Sequence, residues 1–235
     1  MTQSTPPAVV DVADSAALPE VLAANGITTD RPVPVCVGGA GGMSDDDGAA
    51  IEGLLHNLIA PAVDRWRAAV VDGGTDSGVM RMMGQARRAG GCEFPLIGVA
   101  AAGTLRERGV VDSTGDRAEV EPHHTLVLRV PGDQWGDETP WLSAVAGLIA
   151  GKQPSVTVLI NGGRIALSDA QMSLDAGRPL VVVAGSGRGA DEIARASGGL
   201  ASEEPVASIA ASPLTRIVDI HDPPSVLDAI ASVLQ

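Results

Sequence analysis

Residues 178–194 read RPLVVVAGSGRGADEIA, and this stretch decides the fold. The run 180–184 is apolar and largely β-branched, with no alternation of polar and apolar side chains. A strand of that kind is buried on both faces, as in a parallel sheet covered by helices. Gly185, Gly187 and Gly189 interrupt the run, and residues 190–196 then read as a helix. The same succession recurs along the chain. Runs at 33–37, 68–71, 95–101, 125–130, 155–160 and 216–220 share the apolar character, and most end at glycine. Helix-length stretches lie between them at 45–63, 77–89, 138–150, 165–176 and 225–234. In the first, Ile51, Leu54, Leu55, Leu58 and Ile59 recur at helical spacing. Ser44 is placed to cap it, and Asp45, Asp46 and Asp47 sit where the helix dipole favours negative charge. The alternation implies an α/β fold: a Rossmann-like, doubly wound, mostly parallel sheet with helices on both faces.

Residues 1–31 read as an N-terminal tail carrying a short amphipathic piece at 16–24, and 32–235 as a single domain. Residues 104–123 are charged, contain glycine and break the rhythm, as an irregular excursion or a β-hairpin would. With 45% hydrophobic and 19% charged residues, the 235-residue chain has the composition of a globular protein. Its formal net charge of -13 repels phosphate backbones and anionic lipid, which argues against nucleic acid or a membrane surface as partner. A small anion held by local dipoles is compatible with that charge. Three Trp, one Phe and no Tyr leave the core to Val, Leu, Ile and Ala. Cys36 and Cys92 make neither a disulfide framework nor a zinc site. No leader-like segment and no apolar run of membrane-spanning length is visible, so a cytoplasmic protein is expected.

The strand ends carry the candidate site. GGAGGMS at 38–44, GGTDSGV at 73–79, NGG at 161–163 and GSGRGAD at 185–191 all follow strands. Glycine allows close backbone approach to a ligand, and the N-terminus of the next helix offers unpaired N–H groups to phosphate. Together the turns point to a nucleotide-like pocket, formed by Gly38, Gly39, Gly41, Gly42, Asn161, Gly162 and Gly163 beside the other two turns. Gly185, Gly187 and Ala190 match G-x-G-x-x-A, yet no strand ending in an acidic residue follows about 20 residues on. That argues against an NAD dehydrogenase. Arg188 beside a helix start suits bidentate phosphate binding, or a surface pair with Asp191. Thr75, Asp76 and Ser77 read as helix caps able to share their amides with a ligand. His123 and His124 precede a strand, where neighbouring side chains point to opposite faces; both read as structural, with His124 able to orient a loop. The polar loop Asp133, Gln134, Trp135 and Asp137 reads as a lid or a turn packed on its tryptophan. No nucleophile elbow, P-loop or metal-ligand set is present, so no catalytic residue, metal or required cofactor is assigned.

Several segments together carry a resemblance. VVDGGTDSGVMRMMGQA (70–86), PLIGVAAAGTL (95–105), VEPHHTLVLRVPGD (120–133), SVTVLINGG (155–163) and RPLVVVAGSGRGADEIA (178–194) resemble the amino-terminal domain of melastatin-type TRP channels. That domain belongs to the SLOG superfamily, and this chain resembles its stand-alone prokaryotic, LSDAT type. The resemblance implies a sensor of nucleotide-derived ligands, with ADP-ribose and its cyclic relatives foremost. It assigns Gly73, Gly74, Thr75, Ser77 and Gly78 to the phosphates, together with Gly185, Ser186, Gly187 and Arg188, and places Gly38 to Gly42 against the ligand. The polar residues that follow the HHT strand in the channels correspond here to PGDQWGDETPW (131–141). A sensor without a pore implies an effector protein as partner, and a homo-oligomer is compatible with a domain of this size.

Two alternatives stand beside the sensor. The related LOG enzymes hydrolyse the N-glycosidic bond of nucleotides through a PGGxGTxxE segment, which here corresponds to NGG followed by Asp169 without the GT pair or the Glu. The other is a structural or oligomer-forming domain with a vestigial pocket.

Overall fold

The computed structural model describes residues 6–39, 44–106, 109–110 and 117–235. Within them, eight strands form one sheet: β1 (Ala8–Asp11), β2 (Val33–Gly38), β3 (Val70–Asp72), β4 (Leu96–Ala101), β5 (Leu126–Val130), β6 (Ser155–Ile160), β7 (Leu180–Ala184) and β8 (Thr215–Asp219). Their order is β1-β5-β4-β3-β2-β6-β7-β8, and every pairing is parallel. The central strands β2, β4, β6 and β7 are almost wholly buried, as their unbroken apolar runs require.

Side chains alternate between two cores. Val33, Val35 and Val37 of β2 join one cluster, while Cys36 joins the other. The first core is closed by α1 (Leu18–Ala24), α5 (Thr139–Ala150), α6 (Arg164–Asp175), α7 (Arg188–Ser197) and α8 (Val206–Ala211). The second is closed by α2 (Asp45–Leu54), α3 (Ala60–Arg65), α4 (Gly78–Ala89) and α9 (Pro223–Leu234). The fold is therefore the doubly wound α/β arrangement expected.

Several details differ from the sequence reading. The tail contains β1, which pairs with β5 at the sheet edge and is tied there by Asp11 to Arg129, with Arg129 Nη2 2.7 Å from Asp11 Oδ2. The strand expected at 68–71 lies at Val70–Asp72, two residues later at its start. The helix expected over 45–63 passes through a π turn, Leu55–Ile59, before continuing to Arg65. Pro61 accounts for the turn: it has no N–H to donate and its ring crowds the carbonyl one turn back, so the helix widens ahead of it. Ser44 does cap α2, accepting a hydrogen bond from Asp47 N at 3.1 Å. Of the two readings of 104–123, the described residues follow the irregular excursion, with isolated bridges of Thr75 with Val120 and Leu105 with Ala118. α8 falls in a stretch where no helix is expected.

No helix among the described residues is long and apolar enough to cross a membrane.

Gly84, in the middle of α4, gives a test of the packing. A Cβ there would overlap the buried Glu121 carboxylate. Helix propensity alone favours Gly84→Ala by about 1 kcal/mol. Displacing a buried, paired carboxylate costs more, so the variant should be destabilised by roughly 1–3 kcal/mol in urea unfolding. A stabilised variant would show that Glu121 moves aside without loss.

Candidate ligand-binding site

The sheet order reverses between β2 and β6. From β2 the chain moves one way through β3, β4 and β5; from β6 it moves the other way through β7 and β8. At such a switch point the connecting loops diverge and leave a crevice beyond the strand ends. Here the crevice is a cavity of about 380 Å³, with Gly38 and Gly39 on one wall and Gly163 on the other. β2 and β6 approach so closely that a Cβ on Gly38 would overlap the Ile160 carbonyl oxygen.

Four helices begin at this cavity. Ser77 leads into α4, Glu138 into α5, Gly163 into α6, and Arg188 is the first residue of α7; all four line it. None of the four has a side-chain cap hydrogen bond among the described residues, whereas α2 and α9 are capped by Ser44 and Asp222. Capping by the Ser77 side chain, expected from the sequence, is not made: Ser77 holds the N-cap position and bonds the helix only through its carbonyl, which accepts from Arg81 N at 3.2 Å. Thr75 Oγ1 is buried with no partner among the described residues, although Thr75 lines the cavity. Asp76 instead binds Arg81, with Oδ1 2.7 Å from Nε.

The basic residues sit where helix electrostatics disfavours them. Arg164 and Arg188 open α6 and α7, at the positive end of each dipole. A Cβ on Gly163 would lie 2.9 Å from Arg188 Nη2, so that guanidinium crosses the start of α6. Arg188 also has a φ of 45°, unusual for a non-glycine residue. Two guanidinium groups thus stand at helix starts without a side-chain cap, that of Arg188 on strained backbone.

Two carboxyl groups line the same cavity. Asp169, from α6, is 9% exposed and accepts a hydrogen bond from Thr139 Oγ1 at 2.6 Å. Burial pushes its pKa up to about 6, the Thr139 bond resists that, and the neighbouring Glu138 adds to it. Burial likewise raises Glu138, partly offset by backbone hydrogen bonds such as that from Gly136 N at 2.9 Å.

Buried polar contacts fix the turns. Asp72 ends β3, and its Oδ1 accepts from Gly74 N at 2.7 Å and lies 2.8 Å from His124 Nε2. His124 Nδ1 lies 2.8 Å from Glu121 Oε2, and His123 Nδ1 lies 2.6 Å from Glu121 Oε1. The two histidines thus converge on one carboxylate. The expectation of opposite faces fails because they lie ahead of β5, in a turn. His124 does orient a loop, the GGTDSGV turn. Burial would lower its pKa, but the charge of Asp72 and hydrogen bonds to Asp72 and Glu121 carry it to about 9. Glu121 is held below the usual carboxylate range: the histidine bonds outweigh its burial.

A second zipper joins the β6 and β7 turns. Asn161 N donates to Ser186 Oγ at 2.7 Å, Asn161 Nδ2 to the Ser186 carbonyl at 2.9 Å, and Ala190 N to the Asn161 carbonyl at 2.9 Å. Asp191 Oδ1 accepts from Gly185 N at 2.6 Å.

Of the residues expected at the site, Gly38, Gly39, Gly73, Thr75, Ser77, Gly163 and Arg188 line one cavity. Gly74, Gly78, Asn161, Gly162, Gly185, Ser186 and Gly187 lie in the turns behind that lining; Asn161 and Ser186 are fully buried and bonded to each other. Gly41 and Gly42 lie outside the described residues. Sequence reasoning did not single out Glu138 or Arg164. The signal for Arg164 was a basic residue directly after a glycine turn, the same signal that marked Arg188. Cys36 lies at the cavity floor with its thiol held protonated by burial.

A family model described as SLOG in TRPM, prokaryote, matches residues 31–228, so the chain belongs to that family. No curated protein matches the chain.

The His124 network makes stability depend on pH. Its ordinary pKa of 6.5 rises to about 9 in the fold. Below pH 6.5 the imidazole is protonated in both states, and the contribution is complete. Between 6.5 and 9 the unfolded chain releases the proton while the fold retains it. Stability should therefore fall across that window, by roughly 3 kcal/mol in all. Denaturant midpoints from pH 6 to pH 10 measure this, and His124→Gln should flatten the slope. An equal slope in the variant would assign it elsewhere.

Proposed function

We propose, with membership of that family as the premise, that the cavity holds the phosphates of a nucleotide-derived ligand, and that the domain binds and senses this ligand. ADP-ribose and its cyclic relatives are the leading class. One observation carries the reading: four uncapped helix N-termini and the Arg164 and Arg188 side chains meet at a single cavity. Thr139 N, Gly189 N and Ala190 N already bond backbone carbonyls, so the amides on offer are chiefly those that open α4 and α6, beside four positive dipole ends; a diphosphate has enough oxygens to engage several of these at once. The orphan Thr75 hydroxyl supplies a further donor. In a chain of net charge -13, this local concentration of positive potential needs a reason, and an anionic ligand provides one. The bound state would be communicated to a separate effector protein in the cytoplasm.

The test is calorimetric titration with ADP-ribose, with AMP, NAD and cyclic ADP-ribose as comparisons. Selective binding of micromolar strength or better is the expected result, with the ligand recovered intact. Arg188→Ala should weaken ADP-ribose binding by about 1.5–3 kcal/mol, as loss of a charge-assisted contact does. Unchanged affinity in that variant would remove Arg188 from the ligand.

A specific observation favours a second reading, hydrolysis of a nucleotide N-glycosidic bond. Asp169 shares the cavity with the glycine turns and has its pKa raised to about 6. A carboxylate near that value is suited to activating water at neutral pH. Incubation with AMP, followed by chromatography for free adenine, separates the two readings. On the hydrolase reading the wild type releases adenine, and Asp169→Asn abolishes release while retaining nucleotide binding. On the sensor reading no adenine appears.

A further inference from the structure

The two edges of the sheet are finished differently. β8 has α8 and α9 against it, one from each core. At the opposite edge, β1 and β5 send Val10, Leu126, Leu128 and Val130 to the first core, and the second core draws no residue from either strand. Val9, Asp11 and Arg129 alternate with those residues and stand on the other face of the sheet. There Val9, 48% exposed, borders a groove of about 630 Å³ whose other apolar residues include Leu105, Val120 and Pro122 of the excursion.

The backbone of β1 is open as well. β1 has a neighbour in the sheet on one side only. Val12 N donates to the Arg129 carbonyl at 2.9 Å, so the even-numbered residues of this segment turn their backbone groups toward β5. Alternate residues of a parallel ladder turn theirs away, which leaves the N–H and C=O of Val9 and Asp11 at the outer edge. Such an edge accepts a further strand, whose alternate side chains then reach the flanking pocket. Pro7 has no N–H to offer, so the open stretch is short.

Charge selects the occupant. The described lining of the groove holds Arg106, Arg117 and Arg129 and no carboxylate, in a chain of net charge -13. Arg129 is paired with Asp11, and Arg106 Nη1 lies 2.9 Å from Glu119 Oε1. The Arg129 and Asp11 side chains are both well exposed, and pairs of that kind contribute little. A carboxylate brought in by a partner can share these guanidinium groups while the apolar surface around them excludes water. A second copy docked groove to groove would set arginine against arginine.

The groove also adjoins the switch-point cavity. Val120 bridges to Thr75, Asp76 N donates to the Glu119 carbonyl at 2.7 Å, and Glu121 N donates to the Gly74 carbonyl at 3.0 Å. An occupant of the groove therefore rests on the segment bonded to the GGTDSGV turn.

We propose that this groove docks an extended segment of a partner protein, one that carries Asp or Glu among aliphatic side chains and adds to β1 as a strand. It gives the effector of the reading above a place to bind, and it stands or falls independently of the ligand.

The test is selection of a displayed random-peptide library on the full chain without nucleotide, followed by fluorescence polarisation of the recovered peptides. They should alternate Asp or Glu with Val, Ile or Leu, and bind more weakly as salt rises. The double variant Arg106→Ala/Arg117→Ala should weaken them by about 10-fold or more. Val9→Pro removes an outward N–H and leaves the bonds to β5, and should weaken them by about as much. Matching thermal midpoints check that the variants fold, and the arginine variant decides alone if Val9→Pro does not. Recovery of no peptide, peptides without acidic residues, or unchanged binding to either folded variant overturns the proposal. A dimer in sedimentation that Val9→Pro dissociates places a second copy on this edge and overturns it too.

Discussion

The candidate site depends first on a buried charge cluster. His124, protonated between Asp72 and Glu121, ties together the end of β3, the return from the 104–123 excursion and the entry to β5. Its side chain has no solvent exposure, and those of its two carboxylate partners have almost none. Burying charge is expensive unless it is paired and hydrogen-bonded, and each charged group here has a partner of opposite sign. Asp72 does two jobs at once: it holds the imidazolium and accepts from Gly74 N, fixing the first residues of the GGTDSGV turn. Close approach of Gly74 and Gly98 lets that turn sit directly against β4; a Cβ on Gly74 would be 2.8 Å from Gly98 Cα. Gly73, Thr75 and Ser77, which line the cavity, belong to the turn fixed in this way.

The β6 and β7 turns follow the same logic with neutral groups. Asn161 and Ser186 use their hydrogen bonds on each other's turn, and Gly189 N donates to the Gly162 carbonyl at 3.0 Å. Asn161 takes a φ of 60°, which its short polar side chain tolerates better than most. These residues build the wall, and the wall aims Gly163 and Arg188 inward. A motif position can therefore be essential to a pocket without touching what the pocket holds.

Much of the fold is legible because it is written locally. Apolar runs ending in glycine mark β2, β4, β5, β6 and β7, and helical spacing marks the elements between them. β1 escapes because it is an edge strand, mostly exposed, whose four residues lack a buried pattern. β3 shifts because Ala68 and Ala69 prolong the apolar run, so its start is ambiguous from composition. The site is legible only in part. Glycine turns announce themselves, and Arg188 follows one. The convergence of His123 and His124 on Glu121 and Asp72 involves a partner some fifty positions away, and no local pattern encodes it. Glu138 and Asp169 look like ordinary helix carboxylates until the packing of α5 on α6 buries them beside one cavity.

That pair gives the cavity a lining of both signs. Arg164 and Arg188 share it with two carboxyl groups whose charged forms burial disfavours. An anion placed near Asp169 and Glu138 would be repelled, or would force both to stay protonated. The same anion beside Arg164 and Arg188 would offset the unfavourable interaction of two guanidinium groups with the dipoles of α6 and α7. A hydroxyl donates to carboxylates while a phosphate accepts from amides and guanidinium, so a ligand carrying both groups would satisfy more of this lining than a simple inorganic anion would.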